Sequence, residues 1–192
     1  MSGPMPGWLT PEELEQLTRL LDALVPDDGV NPAAGAAGAA DYVNRLLGAF
    51  TADPPRIWPR GTARSGDTDW LELGTAETLA WRIRIEGSRS MPEREFNGAV
   101  RGWQEIYRDG LTEIGDLSER TGAQVRAMLQ ADDRLTELAE LAFAHACESL
   151  YGDPIYGGNR HEAGWTAIGF DGDVVPTGWS DDEVTNPAGP PS

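Results

Sequence analysis

Apolar residues recur at intervals of three and four along most of this sequence, and this spacing limits the fold more than any other feature. The clearest stripe consists of Leu14, Leu17, Leu21 and Leu24. Thr10 fits the N-cap of this helix, and Glu13 lies three residues later, where a capping box places its acidic residue. The helix should end before Pro26, because a proline disfavours helical backbone in the residue that precedes it.

Similar stripes predict further helices at about residues 39–50, 75–86, 93–114, 122–129 and 132–151. The alternation typical of strands is scarce: residues 81–85 alternate, but they continue a helical stripe equally well. Residues 51–69 are rich in proline, glycine and arginine, which indicates an irregular connection. The sequence therefore predicts an all-α fold, a compact bundle of about five to six helices with long loops.

The length of 192 residues suits a single domain with a hydrophobic core. We assign residues 1–173 to one helical domain. Residues 174–192 are acidic and rich in proline and glycine, so we expect an irregular C-terminal tail that is disordered or lies along a partner.

The charge of the chain excludes several functions. The net charge is −17, which repels phosphate backbones and anionic lipids, so we expect no nucleic-acid partner. All 15 basic residues are arginines, so lysine-dependent chemistry is absent. Cys147 is the only cysteine; it forms no internal disulfide, and its apolar helical surroundings predict a small buried thiol.

The N-terminal residues lack the basic and apolar regions of a signal peptide, and no twin-arginine pair is present. No apolar run approaches the roughly 18 residues that are needed to span a bilayer. We therefore expect a cytoplasmic chain without a membrane span, unless a partner carries an export signal for both.

Residues 151–170 form the most unusual segment of the sequence. Gly152 and Pro154 should end the preceding helix. Gly157, Gly158 and Asn159 all tolerate positive φ, which predicts a tight, defined turn. Four large aromatic side chains surround that turn, so the loop should be packed, either on the helices of this chain or on a partner.

The motif Tyr-Gly-Asp-Pro-Ile-Tyr-Gly-Gly-Asn at residues 151–159, followed by Gly-Trp and Ile-Gly-Phe, resembles the C-terminal signature of the gluconate 2-dehydrogenase subunit 3 family. The sequence Leu-Val-Pro-Asp-Asp at residues 24–28, with the Ala/Gly-rich run behind it, resembles the beginning of that family. The resemblance implies a non-catalytic small subunit of an FAD-dependent dehydrogenase of the glucose-methanol-choline type, which oxidises sugars, sugar acids or polyols.

The resemblance further implies that FAD and the catalytic histidine belong to the large subunit and that a cytochrome c can carry electrons away. The small subunit would stabilise its partner or assist its maturation. We predict no catalytic, cofactor or metal site in this chain. The predicted partner-binding residues are Tyr151, Asp153, Pro154, Tyr156, Gly157, Gly158, Asn159, His161, Trp165 and Phe170.

Two other interpretations remain open. A stand-alone helical protein that binds a small molecule, or an enzyme, would have a closed apolar surface and convergent polar groups. His145 and Glu148 have a spacing that could place two ligands on one metal ion, but the sequence offers no convincing set of further ligands. A dedicated chaperone that leaves after flavin loading would share the docking surface but not the final complex.

Overall fold

The computed structural model describes residues 7–172, and this part of the chain contains helices and no strand. The seven α-helices are α1 (Pro11–Leu24), α2 (Ala39–Leu47), α3 (Thr75–Glu86), α4 (Trp103–Ile114), α5 (Gly122–Ala131), α6 (Thr136–Tyr151) and α7 (Ala163–Ile168). The prediction of an all-α fold is confirmed. The predicted tail at residues 174–192 lies outside the described residues.

Helix α1 lies at the centre of the bundle and packs against α2, α5 and α6. Its capping box is present: the Thr10 hydroxyl accepts from the Glu13 backbone N–H, and the Glu13 carboxylate accepts from the Thr10 N–H. Leu17 and Leu21 of the apolar stripe are buried together with Leu20, and Leu14 and Leu24 at its ends are half-buried. Full burial of one leucine side chain stabilises the folded chain by about 1.5–3 kcal/mol, so this stripe holds the bundle together.

The predicted helix over residues 93–114 is wrong in residues 93–102, because α4 begins only at Trp103. Residues 88–100 form a closed loop instead. The Ser88 N–H donates to the Val100 carbonyl oxygen at 3.0 Å, and the Val100 N–H donates to the Ser88 hydroxyl at 2.8 Å. Phe96, which the helical pattern places on a buried face, lies exposed in this loop.

Helix α3 packs on a second, smaller apolar cluster rather than on the main core. The cluster contains Ala49, Ile57 and Ile85, with Trp81 and Trp103 packed against it. The predicted irregular region at residues 51–69 contributes Ile57 to this cluster, and an isolated bridge pairs Pro59 of this region with Trp70. Trp70 packs edge-on against Tyr156, so the end of the irregular region lies next to the C-terminal loop.

Helix α7 raises the number of α-helices above the five to six that the sequence indicates. It lies within the glycine-rich segment that follows the 151–159 motif, where the pattern predicts only a packed loop. The loop before it contains two short 3₁₀ turns, Pro154–Tyr156 and Arg160–Glu162. Helix α7 packs against α6, so the C-terminal segment is part of the bundle.

Candidate partner-binding surface

The C-terminal loop begins with Asp153, whose carboxylate fastens it at two points. Its Oδ1 accepts from the Ile155 N–H at 2.8 Å, which caps the first 3₁₀ turn. The same oxygen accepts from the Ala63 N–H at 2.9 Å, which joins the loop to the irregular region. Asp153 therefore sets the start of the loop and its position on the bundle.

Asn159 is fully buried and holds the two ends of the loop together. Its Nδ2 donates to the Gly152 carbonyl oxygen at 3.0 Å, and its Oδ1 accepts from the Gly164 N–H at 2.9 Å. Its φ of 46° lies in the left-handed region, which asparagine tolerates better than most residues. One side chain thus links the end of α6 to the start of α7.

Gly157 and Gly158 of the motif are required for different reasons. Gly157 has a φ of 102°, and a Cβ there would lie 2.8 Å from Cδ of Arg45. A Cβ on Gly158 would lie 2.0 Å from the Ser149 hydroxyl oxygen and 2.7 Å from the Ser149 carbonyl oxygen. Gly157 therefore leaves room for the Arg45 side chain, and Gly158 allows the loop to approach α6 closely.

Trp165, one of the predicted partner-binding residues, faces the interior. Its side chain is 2% exposed, and its indole N–H donates to the Tyr151 carbonyl oxygen at 2.8 Å. Phe170 packs edge-on against it with 5.2 Å between ring centroids. Trp165 therefore fixes the loop to the last turn of α6, and any effect of this residue on a partner must act through the loop.

Ion pairs tie the outer side of the loop to the rest of the bundle. Arg64 donates to both carboxylate oxygens of Glu162, and Arg160 pairs with Asp41 of α2. Both His161 and Glu162 have positive φ, 57° and 56°. Such conformations each cost on the order of 1–3 kcal/mol and persist only where the surroundings hold them, which is typical of functional segments.

The predicted binding residues divide into an exposed and an internal group. Tyr151 and Phe170 are 40% and 44% exposed, and His161 is also exposed. The half-buried residues are Asp153, Pro154, Tyr156 and Gly157, and the buried ones are Gly158, Asn159 and Trp165. The exposed group can contact a partner directly, whereas the internal group shapes the loop. Partner binding by this segment stays a prediction.

The outer face of α6 adds an apolar surface that the sequence reading missed. Phe143 is 50% exposed and lies two turns before Tyr151 on the same face, with Cys147 between them. Cys147 is half-buried, not buried as predicted, and burial raises the pKa of its thiol. The Tyr151 hydroxyl at the end of this stripe donates to the Asn31 side-chain oxygen at 3.2 Å. We call Phe143, Cys147 and Tyr151 the α6 face.

The signal for the α6 face is present in the sequence. Residues 138–147 are apolar around most of the helix circumference, which is typical of a helix that is covered on all sides. Within the described residues, other helices cover the inner face of α6 but leave Phe143 exposed.

The inner face of α6 carries a buried histidine. His145 Nδ1 lies 2.9 Å from the Tyr107 hydroxyl oxygen, and Trp103 packs edge-on with 4.7 Å between ring centroids. Burial lowers the pKa of His145 to about 4. Glu148 accepts from the Tyr42 hydroxyl at 3.0 Å and does not join His145. In residues 7–172 no group of three or more histidine, cysteine, aspartate or glutamate side chains could hold a metal ion.

A family model described as Gluconate 2-dehydrogenase subunit 3 matches residues 11–172. The chain belongs to this family. The match extends from α1 through α7, so it also includes the middle of the chain, which the C-terminal motif alone leaves out. A search of curated proteins and a search of solved structures both found no match.

Family membership supports a role as an accessory subunit of a dehydrogenase, and the family description implies a dehydrogenase complex as the partner. In the described part of the chain, no helix is long and apolar enough to cross a membrane.

Proposed function

We propose that the chain is a non-catalytic subunit that docks on the FAD-containing catalytic subunit of a sugar, sugar-acid or polyol dehydrogenase. The α6 face carries this proposal: it is an apolar surface on the outer side of α6, the longest helix of the described residues, and it lies next to the C-terminal loop. Aromatic anchors beside well-ordered loops are typical of protein interfaces. FAD and the catalytic groups belong to the partner in this proposal.

The α6 face has enough apolar area to act as an anchor. Phe143 is 50% exposed, and Tyr151, which is 40% exposed, presents its ring with a polar hydroxyl at one end. Burying one large apolar side chain contributes roughly 1.5–3 kcal/mol. Two or three such residues at the centre of an interface account for most of the binding energy in many complexes.

The C-terminal loop would contribute shape rather than large apolar area. Asn159 and Trp165 hold it from inside, and Arg64 holds it from outside. A surface that is already ordered loses less conformational entropy on binding, which favours affinity. The internal residues of the motif would therefore support docking without touching the partner.

The same interaction explains how a subunit without catalytic groups can support an enzyme. A chain that binds only the folded partner stabilises it by roughly 3–4 kcal/mol at 100 to 1,000 times the dissociation constant. The net charge of −17 favours a partner whose docking surface is basic. Stabilisation and assisted maturation of the flavoprotein both follow from this one equilibrium.

Co-expression with a flavoprotein dehydrogenase large subunit from the same genome tests the proposal. We expect the two chains to co-elute, the complex to show flavin absorbance, and turnover with an artificial electron acceptor to fall when this chain is omitted. A large subunit that is fully loaded and active alone, and never co-elutes with this chain, would refute the proposal. Activity that depends on the chain without co-elution would favour a transient chaperone over a permanent subunit.

A further inference from the structure

A cavity of about 200 Å³ opens between α2, α3, the irregular region and the C-terminal loop. Its aromatic walls consist of Tyr42, Trp58, Trp70, Trp81 and Tyr156. Trp58 meets Trp81 edge-on with 5.7 Å between ring centroids, and Trp70 meets Tyr156 in the same way at 6.1 Å. The cavity is smaller than the roughly 300–1,000 Å³ typical of drug-sized ligands, so it suits a molecule with a single ring.

Two arginines, Arg45 and Arg56, line the same cavity. Neither has a carboxylate within 4 Å in residues 7–172, although the chain is strongly acidic and arginines nearby, such as Arg64 and Arg160, are paired. Glu148 is the acidic residue of the lining, and its carboxylate accepts from the Tyr42 hydroxyl. The lining thus carries two positive charges against one negative charge.

The two guanidinium groups act on each other. Burial, and after it the charge of Arg45, lower the pKa of Arg56. Two like charges at one partly desolvated wall are unfavourable unless an anion lies between them. The C-terminal motif contributes to this arrangement, because Gly157 has no side chain and so leaves space for the Arg45 guanidinium.

We propose that this cavity binds a small organic anion, a carboxylate attached to a single aromatic ring, with Arg45 and Arg56 holding the carboxylate. The planar guanidinium matches a carboxylate with two parallel hydrogen bonds. Edge-on and offset contacts with the tryptophan and tyrosine walls suit a flat ring. The site lies within this chain alone, so the inference does not depend on a dehydrogenase partner.

Calorimetric titration of the full chain with phenylacetate and with phenylacetamide tests the proposal. The two probes share ring and size but differ in charge. We expect saturable binding of phenylacetate, and binding of phenylacetamide at least tenfold weaker. Equal binding of both probes, or no saturable binding of phenylacetate, would overturn the proposal. This comparison uses the unaltered chain and does not depend on any variant.

Variants then test the two arginines. Arg45→Gln and Arg56→Gln should each weaken phenylacetate binding at least tenfold, which corresponds to about 1.4 kcal/mol. Arg120→Gln removes the same charge from an exposed position that does not line the cavity, and it should leave the affinity unchanged. If all three variants fold and bind equally, the assignment of the carboxylate to Arg45 and Arg56 is wrong.

Discussion

The side-chain oxygen of Asn159 accepts a hydrogen bond from the backbone N–H of Gly164 at 2.9 Å, inside the bundle. The amide nitrogen of the same side chain is bonded to the Gly152 carbonyl oxygen, so both polar groups of a buried asparagine are satisfied. A single residue therefore closes a loop of 11 residues between α6 and α7. The shape of the proposed docking loop rests on this contact.

Replacing Asn159 by Ala should lower the free energy of unfolding by about 1–3 kcal/mol, because a buried N–H and a buried carbonyl lose their partners. Urea titration measures this change. Asn97 lies exposed in the 88–100 loop, so Asn97→Ala is the matched control and should change stability by less than about 0.5 kcal/mol. Equal effects of the two substitutions would show that Asn159 does not hold the loop.

Gly158→Ala should destabilise the chain by about 1–3 kcal/mol, because its Cβ would clash with the Ser149 hydroxyl and carbonyl oxygens. Gly74 is the control: it has a φ of −64°, and its Cβ would meet only Glu77 at the ordinary distance of 3.5 Å. Thermal unfolding of both variants checks the prediction. A midpoint for Gly158→Ala at or above that of Gly74→Ala would contradict the close approach of loop and helix.

Trp165→Phe should reduce stability by about 1–3 kcal/mol, since the buried side chain loses the five-membered ring of the indole and the Tyr151 carbonyl oxygen loses its donor. The control Trp58→Phe changes an indole that is 43% exposed and should have a smaller effect on denaturant unfolding. If Trp58→Phe lowers the stability more than Trp165→Phe does, the indole N–H of Trp165 does not fasten the loop.

The buried His145 predicts a specific loss of stability in mild acid. Its pKa is about 4 in the folded chain and about 6.5 when exposed, so the unfolded chain binds more protons between these values. The contribution of neutral His145 to the free energy of unfolding is therefore fully present above about pH 6.5. It falls by roughly 3 kcal/mol as the pH drops towards 4. Carboxylates also titrate in part of this pH range. The contribution of His145 must therefore be measured by comparing the unaltered chain with a variant that lacks this histidine.

Denaturant unfolding at pH 7.5 and pH 5 should show a smaller pH dependence for His145→Gln than for the unaltered chain. His161→Gln removes the exposed histidine and should keep the full dependence. An unchanged pH dependence in His145→Gln would mean that this imidazole does not stay neutral in the folded chain.

Where local signals and tertiary packing agree, the sequence predicted the structure well. The α1 boundaries follow from Thr10, Glu13 and Pro26, since a cap and a proline act through neighbouring residues. The start of α4 was missed, because Ser88 and Val100 close a loop that helical spacing alone does not reveal. The start of α4 therefore depends on a contact between residues that are distant in the sequence.

The candidate site was predicted in part. The turn at residues 157–159 could be read from its residue types, but the direction of Trp165 could not, because aromatic content does not distinguish an internal anchor from an exposed one. The cavity was missed entirely, since Arg45 and Arg56 meet Tyr156 only after the bundle has folded. The α6 face could have been found from the apolar circumference of its helix.

The affinity of Phe143→Ala for the proposed flavoprotein partner tests the central claim most directly. Phe96→Ala is the matched control, because Phe96 is the same residue type and is 64% exposed, against 50% for Phe143, but lies in the 88–100 loop and not on α6. The account predicts that Phe143→Ala weakens binding at least tenfold while Phe96→Ala stays within about twofold, in agreement with a localised anchor. Equal affinities, or a larger loss for Phe96→Ala, would show that the α6 face is not the docking surface.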